Sequence, residues 1–274
     1  MNVPEALCLG ALQGITEFLP ISSSGHLVLA QHLLGFQESQ LFFDIAVHVG
    51  TLMAVFLVFR GDLAHMVRGC IRAISQATSS RATATSSGLD SGAKMALMIL
   101  VGSIPTALIG LLLMDVFDRF FTSPAIVALG LWTTGFFLIL SRRSKPNRNH
   151  LDNPGVFDSL MIGLFQGAAI TPGLSRSGIT ITAGMLLGLE PDLAFRFSFL
   201  LSIPAILGAL AAEEFHRVGN YPEWHVVVIG FLSAFLVGWM ALRVLRSLVG
   251  KGKLFYFAPY CFVLGAAALA IDLF

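Results

Sequence analysis

Two short stretches of this chain carry the side chains that could do chemistry. In QGITEFLPISSSGH, residues 13–26, Gln13, Thr16, Glu17, Ser22, Ser23, Ser24 and His26 crowd together, with Pro20 and Gly25 breaking the helical run. In PGLSRSGIT, residues 172–180, Ser175 and Ser177 flank Arg176 and Thr180 follows. A carboxylate, an imidazole, several hydroxyls and an arginine are the parts of a phosphoryl-transfer site, where catalysis is mostly positioning and charge stabilisation. The planar fork of Arg176 suits a phosphate bidentately. Half-helices that start at Ser-rich tips, near Ser24 and near Ser177, offer unpaired N–H groups and a positive dipole end, which attract anions. Plainer readings stand beside these. Ser22, Ser24 and Ser177 can serve as N-caps, Arg176 as an ion-pair lock on Glu17, and His26 as a satisfied core residue.

The two stretches are copies of one another. Residues 166–189, QGAAITPGLSRSGITITAGMLLGL, align without a gap on residues 13–36, QGITEFLPISSSGHLVLAQHLLGF, at a spacing of 153. Gln13 falls on Gln166, Gly14 on Gly167, Ser22 on Ser175, Ser24 on Ser177 and Gly25 on Gly178. Ala30 falls on Ala183 and Leu33-Leu34-Gly35 on Leu186-Leu187-Gly188, which makes nine identities in 24 positions. Such a repeat constrains the architecture before any single residue does.

Composition says what the copies sit in. The chain is 55% hydrophobic and 12% charged, against roughly 25% charged in a soluble chain, so it reads as an all-α polytopic membrane protein. The net charge of +1 says little about partners. Cys8, Cys70 and Cys261 lie far apart with no C-x-x-C spacing and suggest neither a disulfide nor a metal framework. No basic n-region or small-residue cleavage site opens the chain, so no removable signal peptide is expected.

The apolar runs 2–16 and 24–36 fall short of the roughly 20 residues that cross a bilayer. They predict a re-entrant hairpin, whose irregular tip is tolerated only when buried in protein or lining a watery cavity. Spans are expected at 41–60, at 95–114 with Pro105 as a kink, and at 124–141. Residues 74–92 read as a flexible loop and 141–153 as a basic linker. Residues 156–169 and 179–190 predict a second hairpin, followed by spans at 193–212, 225–245 and 254–272. Asp44, His48 and Glu190 read as interfacial or bundle-packing residues.

Three spans between the hairpins is an odd number, so the second hairpin must open on the opposite face. The expectation is one integral-membrane domain of two inverted-topology repeats, about 1–141 and 154–274. Each repeat has one re-entrant helical hairpin and three transmembrane helices, and the tips meet near the midplane. Basic residues set the orientation. Arg60, Arg68, Arg72, Arg81, Lys94, Arg142, Arg143, Lys145, Arg148, Arg196, Arg243, Arg246, Lys251 and Lys253 fall on one side, fourteen in all. Only Arg119 and Arg217 fall on the other, with Asp115, Asp118, Glu213, Glu214 and Glu223. The basic side is therefore expected in the cytoplasm, with both termini and the mouth of the first hairpin outside. Arg176 belongs to neither group. At mid-membrane an arginine costs about 2.5–3.5 kcal/mol on insertion scales and is a functional candidate by default.

The segments QGITEFLPISSSGH and PGLSRSGIT closely resemble the two signature motifs of bacterial undecaprenyl-diphosphate phosphatases of the bacitracin-resistance type. The span count, the Ser-Ile-Pro segment at 103–105 and the length fit as well, so the resemblance covers essentially the whole chain. It implies removal of the terminal phosphate from a C55 isoprenyl diphosphate in the bacterial inner membrane, which recycles the lipid carrier for cell-wall polymers. It implies a divalent cation, magnesium or calcium, and functional roles for Glu17, Ser23, His26, Ser175, Arg176 and Thr180. The partners it implies are a polyprenyl diphosphate lipid and the bilayer, with no nucleic acid; a homodimer is one candidate state. Many relatives place two carboxylates four residues apart at the first motif, whereas this chain has Gln13 and Glu17. Magnesium can be held by one carboxylate plus substrate phosphates and water.

On this basis Arg176 and the helix starts at Ser24, Ser175, Ser177 and Thr180 hold the phosphates, and Glu17, with Gln13 as an oxygen ligand, orients the metal. Ser23 attacks the terminal phosphorus and His26 acts as general base or proton donor. The alternative from another class is a transporter or flippase of a polyprenyl phosphate, since inverted repeats with hairpins are common in transporters. A carrier needs only the anion clamp; a hydrolase also needs the nucleophile and the base.

Overall fold

The structure, a computed structural model, describes residues 1–33, 41–78, 89–121, 123–146, 153–214 and 223–273. They are helical, with no strand among the described residues. In chain order the helices are α1 Val3–Phe18, α2 Ser23–Leu33, α3 Leu41–Val58, α4 Arg60–Thr78, α5 Ser91–Leu112 and α6 Met114–Phe121. Then come α7 Pro124–Leu140, α8 Val156–Ala168, α9 Arg176–Leu186, α10 Pro191–Glu214, α11 Trp224–Gly250 and α12 Ala258–Leu273. Among the described residues α5, α7, α10 and α11 are long and apolar enough to cross a membrane, and α3 with α4 forms a further pair bent by 72°. The protein is an all-α, polytopic membrane protein.

Local chemistry explains where these helices begin. Asn2 caps α1 in a reciprocal box: its side chain accepts from Glu5 N at 2.9 Å, and Asn2 N donates to Glu5 Oε2 at 2.7 Å. Asp90 caps α5, Ser123 caps α7 with Pro124 as the first helical residue, and Ser175 caps α9. The half-length arms read from the sequence are found at α1, α2, α8 and α9, and the linkers between the arms are Leu19–Ser22 and Ala169–Ser175.

One segment departs from expectation. Residues 74–92 read as a loop. Instead α4 runs through residue 78, and α5 starts at Ser91, with 79–88 outside the described residues. The reason is amphipathicity. Leu63 and Met66 pack onto the core, Gly69 lies against Ala93 and Gly92, and charged, small and exposed apolar residues occupy the rest. Low mean hydropathy hides such a helix, while its 3.6-residue period reveals it.

Helix packing repeats itself in the two halves. α1 packs on α2, α11 and α3, whereas α8 packs on α9 and α5; α3 lies against α11 as α10 lies against α5, and α7 pairs with α12. Exchanging α1 with α8, α2 with α9, α3 with α10, α5 with α11 and α7 with α12 maps these pairings onto one another, except that the contact of α1 with α3 has no counterpart of its size between α8 and α10. The same glycines make both crossings. A Cβ on Gly10 would come within 2.4 Å of Gly230 O, and one on Gly163, 153 residues later, within 1.9 Å of Gly102 O. Lipid tails are as apolar as leucine, so helices in a bilayer associate through close packing at such small residues. Between α1, α3 and α10 the fully buried Phe18, Phe59, Phe195 and Phe199 interlock, with ring centroids 5.6 Å apart for Phe18–Phe199 and 4.9 Å for Phe195–Phe199.

Candidate active site

The two tips meet. A Cβ on Gly178 in the second tip would lie 2.9 Å from Pro20 Cβ in the first. Across this contact Arg176, the first residue of α9, pairs through Nη2 with Glu17 Oε1 near the end of α1. Both are largely buried, with side-chain exposures of 18% and 7%. Glu17 Oε2 accepts twice more, from Gln13 Nε2 at 3.0 Å and from Ser23 Oγ at 2.7 Å. The second motif therefore supplies the cation, and the first supplies the carboxylate, the amide and the hydroxyl. Glu17 aligns with Ile170 and His26 with Ile179 in the repeat, so the carboxylate and the imidazole occur in the first copy alone, and Arg176 aligns with Ser23.

The first tip is strained. Ser22 has φ +67°, the one positive-φ residue other than glycine among the described residues. A non-glycine side chain there costs on the order of 1–3 kcal/mol, and such conformations cluster at functional sites. The turn aims the Ser22 carbonyl at His26 Nδ1, 2.7 Å away. A carbonyl only accepts, so Nδ1 carries the hydrogen. In the neutral ring Nε2 is then the acceptor, and it lies 2.6 Å from the Tyr260 hydroxyl of α12. The two rings stack with 9° between their planes. His26 thus has its bonds to Ser22 and Tyr260, and Ser23 has its bond to Glu17; no hydrogen bond joins His26 to Ser23 among the described residues.

The second tip is a framework of hydroxyls. Ser175 N donates to Thr134 Oγ1 of α7 at 2.9 Å, and Thr134 Oγ1 donates to Gly173 O at 3.2 Å. Gly173, at φ +85°, sits where a Cβ would come within 2.2 Å of Val127 O. Ser175 Oγ accepts from Gly178 N at 3.2 Å and lies 3.2 Å from Ser177 Oγ. Thr180 Oγ1 donates to Arg176 O at 2.7 Å and lies 2.5 Å from Ser198 Oγ of α10. Ser175, Ser177 and Thr180 are buried, so their hydroxyls hold the start of α9 and with it Arg176. Ser24 is partly exposed and lies 3.4 Å from Ser22 Oγ. Apart from Glu17, Arg176 has no side-chain partner among the described residues, so most of its five N–H donors remain for a ligand.

Four residues near the site were not assigned a role from sequence. Tyr260 and Ser198 lie far from the motifs in the chain. Thr134 is a buried hydroxyl in an apolar helix. His48, read as a packing residue, has Nε2 4.0 Å from Glu17 Oε2, and its Nδ1 donates to Asp44 O at 2.7 Å. A polar residue inside a membrane helix is itself a functional signal, and that signal was available for His48.

The oxygens around Glu17 suit a hard cation. Gln13 is fully buried and its Oε1 has no hydrogen-bond partner, one helical turn from the Glu17 carboxylate. No group of three His, Cys, Asp or Glu residues that could hold a metal occurs among the described residues. One carboxylate and one orphaned amide oxygen fit magnesium or calcium, which take oxygen ligands and complete their shells with water and phosphate.

Fold and site together define a membrane protein whose two facing hairpin tips join an arginine and a serine through one buried carboxylate. Comparison with known sequences agrees with that class. Residues 6–267 match the family described as "Bacitracin resistance protein BacA". The chain is 44% identical over 271 residues to a protein of Desulforapulum autotrophicum named "Undecaprenyl-diphosphatase", covering 98% of each chain. It is 44% identical over 274 residues to one of the same name from Desulfosudis oleivorans, covering 100% of each. It is 40% identical over 275 residues to one from Korarchaeum cryptofilum, covering 99% of this chain and 100% of that one. The chain belongs to the bacitracin resistance protein BacA family.

Proposed function

We propose that this protein is an integral-membrane phosphatase that hydrolyses undecaprenyl diphosphate to undecaprenyl phosphate and inorganic phosphate, recycling a lipid carrier of cell-wall synthesis. The observation that carries the reading is the joint contact of Ser23 and Arg176 with Glu17 at the meeting of the tips. The polyprenyl tail lies in the bilayer and its diphosphate enters between the tips. Arg176 clamps the phosphate oxygens, assisted by the N-terminus of α9 that Ser175, Ser177 and Thr180 hold in place.

Ser23 Oγ attacks the terminal phosphorus and its proton passes to Glu17 Oε2, to which it is already bonded. The new Oγ–P bond replaces the P–O bond to the lipid phosphate. The lipid monophosphate is a weak base and departs without a proton. Water then attacks the phosphoserine and passes a proton to His26 Nε2, the Oγ–P bond breaks, and Oγ takes back the proton held by Glu17 and leaves as the hydroxyl. His26 keeps the tip in its turn through Ser22 and presents Nε2, shared with Tyr260, as a second proton site. A divalent cation held by Glu17 and Gln13 Oε1 would supply charge neutralisation at the diphosphate.

Detergent-purified protein should release inorganic phosphate from farnesyl diphosphate with magnesium or calcium present and lose that activity to a chelator. Gln13→Glu adds a second carboxylate one turn from Glu17 and should lower the half-saturating cation concentration several-fold. Binding of the diphosphate without phosphate release would make the chain a carrier.

The membrane is the bacterial inner membrane, with the basic face in the cytoplasm and both termini outside. The support is the asymmetry of fourteen basic residues against two. In a variant lacking Cys8, Cys70 and Cys261, single cysteines placed within 79–88 should resist membrane-impermeant thiol reagents in intact cells, and ones at 216–220 should react. The opposite labelling pattern would invert the orientation.

A further inference from the structure

A cavity of about 430 Å³ lies away from the tips, where α3 turns into α4 beside α11. Arg60 stands at the elbow, and Arg243 and Arg246 line the α11 side. Leu57, Val58 and Leu242 supply the apolar part of the lining. The Arg243 guanidinium lies over the Trp239 ring, 3.9 Å from its centroid. Arg246 is neutralised by Asp192, with Nε donating to Oδ1 at 2.9 Å and Nη2 to Oδ2 at 3.3 Å. Arg60 and Arg243 have no carboxylate partner among the described residues. Two uncompensated guanidinium groups in a partly apolar lining are the complement of an anion that carries an apolar tail, and the guanidinium fork matches phosphate oxygens.

The surroundings of this cavity have the character of a membrane surface. α4 leaves α3 at 72°, so it runs across the direction of α3 rather than continuing it. Its inward residues Leu63 and Met66 pack on the core, while Val67, Ile71 and Ile74 form an apolar stripe at i, i+4 and i+7 with exposures of 58%, 61% and 65%. Arg68 and Arg72 lie beside the stripe, the pattern of a helix lying in the headgroup region. The cavity is separate from the Glu17 site. Gly238 packs against Phe18, the neighbour of Glu17, and Arg243 and Arg246 lie about 7 and 12 Å further along α11 at 1.5 Å per residue. Val58, the last residue of α3 and part of the cavity lining, lies about 15 Å along that helix from His48 on the same rise.

We propose that this elbow pocket binds the phosphate head of an anionic membrane lipid, anchoring the α3–α4 corner at the basic face of the membrane. The test is native mass spectrometry of the full-length protein, purified in neutral detergent and titrated with phosphatidylglycerol, with phosphatidylcholine as the control. Wild type should retain one phosphatidylglycerol that phosphatidylcholine does not replace. Arg60→Gln/Arg243→Gln should weaken that retention at least tenfold, while Arg243→Lys, which keeps the charge, weakens it less. A melting curve reports folding of each variant; if the double variant does not fold, Arg60→Gln and Arg243→Gln are read singly, each several-fold weaker. Release of phosphate from farnesyl diphosphate in detergent should be unchanged in the folded variants. Equal retention by wild type and the arginine variants, or equal retention of phosphatidylcholine, overturns the proposal. Displacement of the lipid by millimolar inorganic phosphate also overturns it, and makes the pocket a site for free phosphate.

Discussion

Glu17→Gln should abolish turnover, with phosphate release falling at least a thousandfold per folded molecule. Glu17 is the one group that touches Gln13, Ser23 and Arg176 together. Removing its charge withdraws the acceptor of the Ser23 proton, and general-base contributions alone are about 10²–10⁴-fold. It also frees Arg176 from the ion pair that fixes it. Removing one partner of a buried pair costs about 3–5 kcal/mol because the other charge is left uncompensated. At 18% exposure Arg176 keeps some water, so the stability loss should fall toward the low end of that range. Melting temperature and turnover per folded molecule must therefore be measured together. Glu17→Asp separates the two effects: it restores the charge but withdraws the carboxylate by one methylene, and a misplacement of about 1 Å can cost 10²-fold. Its melting temperature should recover more than its turnover does. If Glu17→Gln lowers only stability, and the folded fraction still turns over normally, the Glu17–Arg176 pair is a structural lock.

The hairpins were legible because apolar runs of this length cannot cross a bilayer and each pair is interrupted by Pro and Gly. Pairing the motifs was legible too, because an odd number of spans between two copies points their tips at each other. The contact of Arg176 with Glu17, 159 residues apart, follows from that topology and not from local spacing. Other features were out of reach for physical reasons. Tyr260 is 234 residues from His26, in an apolar helix where a tyrosine is unremarked. Thr134 and Ser198 are single hydroxyls in membrane helices, and only packing tells which of many such hydroxyls meets a motif. The 72° corner at Arg60 has no proline, so hydropathy alone merges the end of α3 with the start of α4. α4 and His48 are different cases, since a period of 3.6 and a polar residue within an apolar run were both present to be read.

The contacts at the first tip underlie the proposal of Glu17, rather than His26, as the base. Sequence spacing suggests His26 reaching back to Ser23, three residues away. The left-handed Ser22 instead turns the imidazole toward its own carbonyl and toward Tyr260, while the Ser23 hydroxyl faces the carboxylate. A single strained residue thus separates two groups that are close in the chain. Ser22→Gly would relieve the strain and keep the turn, because glycine adopts a positive φ without steric cost.

Rapid quench of the enzyme with polyprenyl diphosphate labelled in its terminal phosphate should trap a covalent phosphoserine on Ser23. The hydroxyl is 2.7 Å from Glu17 Oε2 and is directed at an acceptor able to take its proton, which is what a weak neutral nucleophile requires. His26 is an alternative nucleophile by chemistry, but its Nδ1 carries the hydrogen bonded to Ser22 O, and its Nε2 lone pair is met by the Tyr260 hydroxyl. Attack by Nε2 would first have to break that bond. The two adducts differ in chemistry: a phosphoserine survives acid and yields to alkali, and a phosphohistidine does the reverse. An acid-stable adduct should form in wild type and vanish in Ser23→Ala. Tyr260→Phe supplies the second arm, because it frees Nε2 without touching Ser23. If Ser23 attacks, the adduct in Tyr260→Phe remains acid-stable and forms at a rate within about tenfold of wild type, the scale of one lost hydrogen bond. If His26 attacks, Tyr260→Phe accumulates an acid-labile, alkali-stable adduct faster than wild type, and that adduct persists in Ser23→Ala. Turnover without any trapped adduct, in wild type and both variants, would instead assign the attack to water, with Glu17 as its base.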